Sequence, residues 1–381
     1  MAGEIQKKSI KEEEVRKEEE KEEEKKEEKK EEKKSLLATM TLKEKVAQMF
    51  FITPETLAGV DLATMTGELT EAGFSQYPVG GIIYFSENIL SREQLSSMLT
   101  KMQEISIQEI GLPIFLAVDE EGGSVSCLYG SEVGDIPYVA DMYSIGNSGD
   151  SGQAYLAGKT IGEYLKRLHF NLDFAPVADV YSNLENTVIG DRSFGSNATL
   201  VAEMVPEAVR GLQTAGVMAT LKHFPGHGDT MEDSHNGSAT SYRTIEELRT
   251  FELLPFQKGI EAGAEFVMVG HISLPNVLEN QVPASLSSEI VTDLLRKELK
   301  FDGIIITDAL NMGAITENYS ASEAAIKAVE AGADMLLMPE DFISAYEGVC
   351  NAVYEGRISE ARIDESVERI IRKKQKLEKE Y

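Results

Sequence analysis

Three of the five histidines in this 381-residue chain fall within thirteen residues, in the stretch KHFPGHGDTMEDSHNGSAT at 222–240. Pro225, Gly226 and Gly228 rule out a continuous helix there, so the stretch reads as an ordered loop. A lone histidine is usually a hydrogen-bonded core group, but His223, His227 and His235 share this loop with Asp229 and Asp233, which favours chemistry. Two chemistries fit. His223, His227 and an Asp have the donor types of a metal site. Alternatively, Asp233-Ser234-His235 is an acid/base pair in which the carboxylate orients the imidazole and tunes its proton affinity.

A loop of this kind needs a scaffold, and the rest of the chain supplies a repeating one. Short runs rich in Val, Ile and Phe predict eight strands, at 47–52, 80–85, 113–118, 171–176, 217–222, 265–270, 303–308 and 334–339. Between most of them lie stretches of helical periodicity, among them SREQLSSMLTKMQEI, GQAYLAGKTIGEYLKRL, ATLVAEMVPEAVRGLQTA and SASEAAIKAVEAG. Eightfold βα alternation predicts a single α/β domain, a (β/α)₈ TIM-type barrel over residues 35–381. An open doubly wound sheet is disfavoured because no Gly-x-Gly-x-x-Gly turn follows the first strand.

In a parallel barrel, catalytic groups sit where the strands end. The third predicted strand ends in Asp119-Glu120-Glu121-Gly122-Gly123, and the fourth runs into Asp179 and then IGDRSFG with Arg192. The fifth ends in Lys222-His223, the sixth in His271 and the seventh in Thr307-Asp308. Ionisable groups thus follow five consecutive apolar runs, while the opposite strand ends show no such concentration.

Charge and composition narrow the class further. Residues 1–34 hold 12 Lys/Arg and 14 Glu, a charged low-complexity leader with nothing to bury, which reads as disordered or as a lone helix. Nearly all of the net charge of −28 therefore sits on the remaining residues. Such an acidic body repels phosphate backbones and anionic membranes, so a nucleic-acid partner is not expected. No apolar run reaches the ~18–20 residues needed to span a bilayer, so no integral membrane segment is expected. The opening MAGEIQKKSIKEEE lacks an apolar signal core, and a cytoplasmic location is the expectation, with export or surface tethering the alternative if a signal was removed. Two cysteines, Cys127 and Cys350, are too few for a disulfide framework or a thiolate metal site.

KHFPGHGDT followed by DSH, the ITDAL segment after an apolar strand, and IGDRSFG together resemble glycoside hydrolase family 3, in its β-N-acetylglucosaminidase branch. The likeness runs from LKEKVAQMFF near residue 42 to the GRISEARIDESVERIIRKK tail. It implies a retaining exo-glycosidase that removes terminal non-reducing β-N-acetylglucosamine, from muropeptide fragments in peptidoglycan recycling or from chitin-type oligosaccharides. Asp308 matches the nucleophile that forms the glycosyl-enzyme intermediate. His235 matches the acid/base, with Asp233 as its partner; a histidine avoids a second full negative charge beside Asp308. Asp119, Arg192, Lys222 and His223 match positions that grip sugar hydroxyls. The only partner implied is a carbohydrate substrate, with no cofactor and no metal, and His227 and Asp229 are left to brace the loop. The acid/base group is expected on the barrel itself, since the chain ends soon after the eighth strand and one amphipathic helix.

One segment departs from the family pattern. D-x-E-G-G-R-V-Q-R becomes DEEGGSVSC, so Ser124 and Cys127 stand where arginines are expected, and Cys127 reads as an inert small hydrophobe. Losing a charge-assisted contact costs about 1.5–3 kcal/mol if nothing compensates, which bears on sugar specificity. Three other activities fit parts of the pattern. A β-N-acetylglucosaminide or β-glucoside phosphorylase would use the same histidine, which does not repel incoming phosphate. A catalytically weak sugar-binding protein would explain the missing arginines. A metal-dependent barrel hydrolase would use His223, His227, His271 and an Asp, but lacks the His-x-His expected after its first strand.

Overall fold

A computed structural model describes residues 36–231, 237, 239–279 and 282–377. The chain divides into two compact units, Met1–Thr41 and Leu42–Tyr381. Within the described part of the first, the Thr39 hydroxyl donates to the Leu36 carbonyl at 2.8 Å.

The second unit is built on eight parallel strands: β1 (Phe50–Ile52), β2 (Gly81–Ile83), β3 (Phe115–Val118), β4 (Leu172–Asp173), β5 (Met218–Phe224), β6 (Phe266–Val269), β7 (Ile304–Thr307) and β8 (Leu336–Leu337). Each hydrogen-bonds to its successor from β1 to β7, and β8 pairs with β1 through Phe50–Leu336 and Phe51–Leu337. A parallel bridge between Ile306 and Met335 joins β7 to the approach of β8 and completes the ring. All eight predicted strands are present, mostly shorter than the apolar runs suggested. The first run loses its opening residues because 42–48 coil into a helix that buries Val46 and Ala47, and the fifth extends through His223 and Phe224.

Helices α1 (Leu42–Gln48), α2 (Arg92–Ile110), α3 (Ser151–Arg167), α4 (Ala198–Thr214), α5 (Leu253–Glu261), α6 (Ala321–Ala331), α7 (Phe342–Tyr354) and α8 (Glu360–Leu377) accompany the strands. Side chains cap their exposed first amides: Ser91 accepts from Gln94 N for α2, Asn197 from Thr199 N and Leu200 N for α4, and Asp341 from Ser344 N for α7. Helices α3 and α4 approach closely at Gly158, where a Cβ would stand 2.3 Å from the Ala208 carbonyl oxygen.

The interior of the ring is filled. Phe51 of β1 meets Phe174, just past β4, at 5.3 Å, and Phe115 of β3 meets Phe266 of β6 edge-on at 5.1 Å. Neither pair joins neighbouring strands, so both contacts cross the barrel. Its floor is closed by α8. The Lys374 ammonium-bearing chain reaches Gln48 Oε1 at 2.8 Å and lies 5.5 Å from the Phe115 ring centre, fully buried. Asp334, ahead of β8, accepts from Arg296 and Ile305 N on one oxygen and from Ser366 and Arg369 of α8 on the other.

Candidate active site

The opposite end of the barrel opens into a cleft of about 570 Å³, lined among others by Asp119, Glu121, Arg192, Lys222, His223 and Asp308. Asp119 directly follows β3. The next residues, Glu120–Gly122, turn back as a hairpin with Val125–Ser126. Alternation along extended backbone separates the three acids. Glu120 points away from the cleft and accepts from Tyr164 OH at 2.7 Å and from the amides of Cys127 and Leu128 at 2.9 and 3.3 Å. Asp119 and Glu121 share the cleft side.

Both meet Lys222, which β5 delivers from the far side of β4. Its Nζ stands 2.5 Å from Asp119 Oδ1 and 2.5 Å from Glu121 Oε1. Burial works against charge on this amine, but the two carboxylates outweigh it and hold its pKa above the usual lysine value. Arg192 grips Glu121 from the other flank, Nε to Oε2 and Nη2 to Oε1, each at 2.8 Å, while Nη1 donates to the Val188 carbonyl. This fork-on-carboxylate pairing is the strong, geometrically fixed kind. Glu121 would be raised by burial; Arg192 and Lys222 reverse that and hold it far below the ordinary carboxylate range. Glu121 is only 2% exposed whereas Asp119 is 29% exposed. Glu121 therefore fixes the two cations, and Asp119 keeps an oxygen surface for a ligand.

His223 lies next to Lys222. Its Nδ1 is 2.7 Å from Asp179 Oδ2, and Asp179 also accepts the backbone amides of His223 and His227. Burial would raise the Asp179 pKa, but His223 and His227 bring it below the usual value, so it is ionised. Asp179 thus fixes the His223 ring, leaving Nε2 facing Arg192 at 3.5 Å. His227 bonds Thr230 through Nδ1 at 2.7 Å, and burial, with His223 adding to it, lowers its pKa.

Asp308 follows β7 and is half-buried in the cleft wall; its Oδ1 accepts from Ala309 N at 2.8 Å. His271 follows β6 and supports that turn from beneath, Nε2 standing 2.9 Å from the Ala309 carbonyl oxygen and Nδ1 2.7 Å from Ser285 Oγ.

The histidine loop leaves β5 under tight constraint. Gly228 crosses Val180 so closely that a Cβ would lie 1.8 Å from its carbonyl oxygen, and Asn186 Nδ2 donates to the His227 carbonyl at 2.8 Å. The returning limb, Ala239–Thr240, pairs in parallel with Ile272–Ser273. Asp229 ties the two limbs together: it accepts from Ser241 Oγ at 2.9 Å and lies 3.5 Å from Arg243 Nε. Glu252, fully buried after a π-helical turn at Leu248–Glu252, sits 3.5 Å from the same Arg243 nitrogen. Burial and Asp229 push its carboxyl up to about 8, with Arg243 opposing.

Five of the seven sequence-predicted site residues, Asp119, Arg192, Lys222, His223 and Asp308, therefore line one cleft at one end of the barrel. Asp233 and His235 fall at 232–236, outside the described residues. Among the described residues no three His, Cys, Asp or Glu side chains are grouped as a metal site needs. Ser124, exposed at the hairpin tip, donates to Asp191 Oδ1 at 3.3 Å. Cys127 lines the cleft with its thiol pushed up to about 12 by burial and by Asp119 and Glu120, so it is a neutral wall there. Glu121 and Asp179 stand in the sequence among the strand-end ionisable groups, with no role of their own assigned there. The available signal was position: each follows an apolar strand, Glu121 two residues past Asp119 on the same side.

The glycosyl hydrolase family 3 N terminal domain matches residues 41–373. Beta-hexosaminidase A of Pseudoalteromonas piscicida is 33% identical over 339 residues, which cover 83% of this chain and 56% of that protein. Beta-hexosaminidase LpqI of Mycobacterium tuberculosis is 33% identical over 79% of this chain and 76% of its own length. Among solved structures, a family 3 β-N-acetylglucosaminidase from Paenibacillus sp. str. FPU-7 superposes with a TM-score of 0.84 at 40% identity, covering 90% of this chain and 64% of that one. The chain thus spans between about half and three quarters of these relatives' lengths. With the barrel, the strand-end residues and these matches in agreement, the chain belongs to glycosyl hydrolase family 3.

Proposed function

We propose that this protein hydrolyses terminal non-reducing β-N-acetylglucosaminides with retention of configuration, from chitin-type oligosaccharides or muropeptide fragments. The observation that carries the reading is the placement of a half-buried carboxylate, Asp308, in the same cleft as the network Asp119–Lys222–Glu121–Arg192. That network presents two cations and an accessible carboxylate in fixed positions, a suitable grip for the vicinal hydroxyls of one sugar.

In the first step a carboxylate oxygen of Asp308 bonds to C1 as the C1–O bond to the leaving group breaks. Protonated His235 delivers its proton to the departing oxygen. In the second step neutral His235 takes a proton from water, the water oxygen bonds to C1, and the Asp308 ester bond breaks. Asp233 orients the imidazole and steadies its charged form. A histidine in this role keeps the neighbourhood of Asp308 free of a second permanent anion. The relatives named as β-hexosaminidases and β-N-acetylglucosaminidase support the choice of sugar.

The test is turnover of 4-nitrophenyl N-acetyl-β-glucosaminide. Asp308→Ala is expected to lose at least about 10³-fold in kcat, and His235→Ala about 10²–10⁴-fold. Wild-type turnover in either variant rejects the role given to that residue. Run in phosphate buffer, the reaction should release free sugar; sugar 1-phosphate as product would assign phosphorolysis instead.

A further inference from the structure

The segment that follows the β3 hairpin carries two aromatic rings that the barrel does not use. Its aliphatic side chains, Leu128, Val133, Ile136 and Val139, are all buried. Tyr129 and Tyr138 are left 50% and 60% exposed, with ring centres 5.2 Å apart and planes inclined at 59°. The segment is held from several sides: Arg92 donates to the Val133 and Gly134 carbonyls, Ser131 Oγ to Leu128 O at 2.7 Å, and Gly123 N to Val139 O at 2.9 Å. The backbone that carries the two rings is therefore held in place.

Their position relative to the cleft is set by the hairpin. Ser124, Val125, Ser126 and Cys127 form part of the cleft wall. Tyr129 N donates to Ser126 Oγ at 2.9 Å, and its Cα is at most about 7 Å from that of Cys127, because two residues span no more. Tyr129 thus follows the cleft wall by two residues along the chain, with the Tyr138 ring beside it. An exo-acting site holds the terminal sugar at the bottom of the cleft, so every further sugar of a substrate lies on the leaving-group side, toward the mouth.

We propose that Tyr129 and Tyr138 form a stacking platform for leaving-group sugars of an oligosaccharide, an inference that rests on the glycosidase reading above. The axial C–H bonds of a β-linked pyranose make an apolar face with slightly positive hydrogens, which suits the electron-rich face of a tyrosine ring. Tyrosine orders at low conformational cost, and the phenolic groups can meet sugar hydroxyls at the ring edges. The neutral Cys127 wall between platform and site places no charge in the path of an uncharged glycan.

The full-length protein and its Tyr129→Ala, Tyr138→Ala and double variants are to be compared on 4-nitrophenyl N-acetyl-β-glucosaminide and on di- and tri-N-acetylchito-oligosaccharides. Expected are unchanged kcat/KM within twofold on the aryl substrate and, for the double variant, about tenfold lower kcat/KM on the trisaccharide, carried by KM. Tyr→Phe replacements should restore most of it. Equal losses on both substrates, or none on the trisaccharide, overturn the platform. A change in oligomeric state on sedimentation would assign the rings to a contact between copies of the chain and overturn it too. Binding of the trisaccharide in an Asp308→Ala background separates this from failure of the glycosidase reading. The chain has no tryptophan, so tyrosine emission reports directly: a change on titration that the double variant lacks supports the platform, and identical titrations reject it.

Discussion

Lys222 and Lys374 are both buried within this barrel, one at the cleft end and one at the floor. Lys222 has Asp119 and Glu121 at 2.5 Å and is held in its charged form. Among the described residues, Lys374 meets the neutral Gln48 amide and the Phe115 ring, and burial brings its pKa down to about 7. The two amines have lost water to a similar degree, so burial does not decide their charge. Placed carboxylates do. At the cleft end the barrel maintains ionised groups in fixed geometry, as binding of a polar ligand requires. At the floor it tolerates an amine that fills space and gives up its proton readily.

Removing the cation where it is paired should have the largest effect. In Lys222→Met, Asp119 and Glu121 keep only Arg192 between them. The expected loss is about 3–5 kcal/mol in stability, the cost of stripping one partner from a buried pair, together with a fall in kcat/KM. Urea unfolding and initial rates check both; a variant as stable and active as wild type would abolish the distinction between the two ends.

Lys374→Met should move in the other direction. The unfolded lysine binds its proton up to about pH 10.4, whereas the folded one releases it near 7. Between these values the unfolded state holds more protons, so wild-type stability rises with pH, by up to about 1.4 kcal/mol per unit. The methionine variant should lose that slope and gain stability most at pH 6–7, with unchanged kcat. Unfolding curves at pH 6, 7.5 and 9 decide; a parallel shift at all three contradicts a depressed lysine.

The smallest effect concerns an acid whose burial outweighs its one cationic neighbour. Glu252, near 8, is protonated in the fold below that pH, so its contribution is favourable at low pH and is lost as pH rises from about 4.5 to 8. Glu252→Gln imitates the protonated form. Its Tm should lie within about 2 °C of wild type at pH 6 and above it at pH 9. A large loss at pH 6 would mean that the ionised carboxylate is what Arg243 needs.

These contrasts also show what the sequence makes legible. GIIITD and VMATLK announce their strands and, because a barrel strand ends at the rim, hand over Asp308, Lys222 and His223 with little ambiguity. Asp119 emerges the same way. What stays hidden is pairing across strands: alternation puts Glu121 on the side of Asp119, but nothing local tells that it meets Lys222 and Arg192, or that Asp179 orients His223. Glu252 is hidden differently. In IEELRTFELLPF it reads as one more surface acid on an amphipathic helix, and the π turn at Leu248–Glu252 breaks the 3.6-residue period on which such a reading depends. The two-residue strands at Ala239–Thr240 and Ile272–Ser273 are too short to leave any periodicity at all.

The seal that α8 provides also has a temporal meaning. Asp334 is clamped by Ser366 and Arg369, and the space under Phe115 is filled by Lys374, all from the helix that follows the eighth strand. Until that helix docks, a ring that already has its eight strands holds an uncovered acid and an open apolar bore, a state prone to aggregation or chaperone capture. Completion of the floor is thereby tied to a helix that comes after the last strand, so a chain cut before Glu360 should form a markedly less stable barrel than one that includes α8.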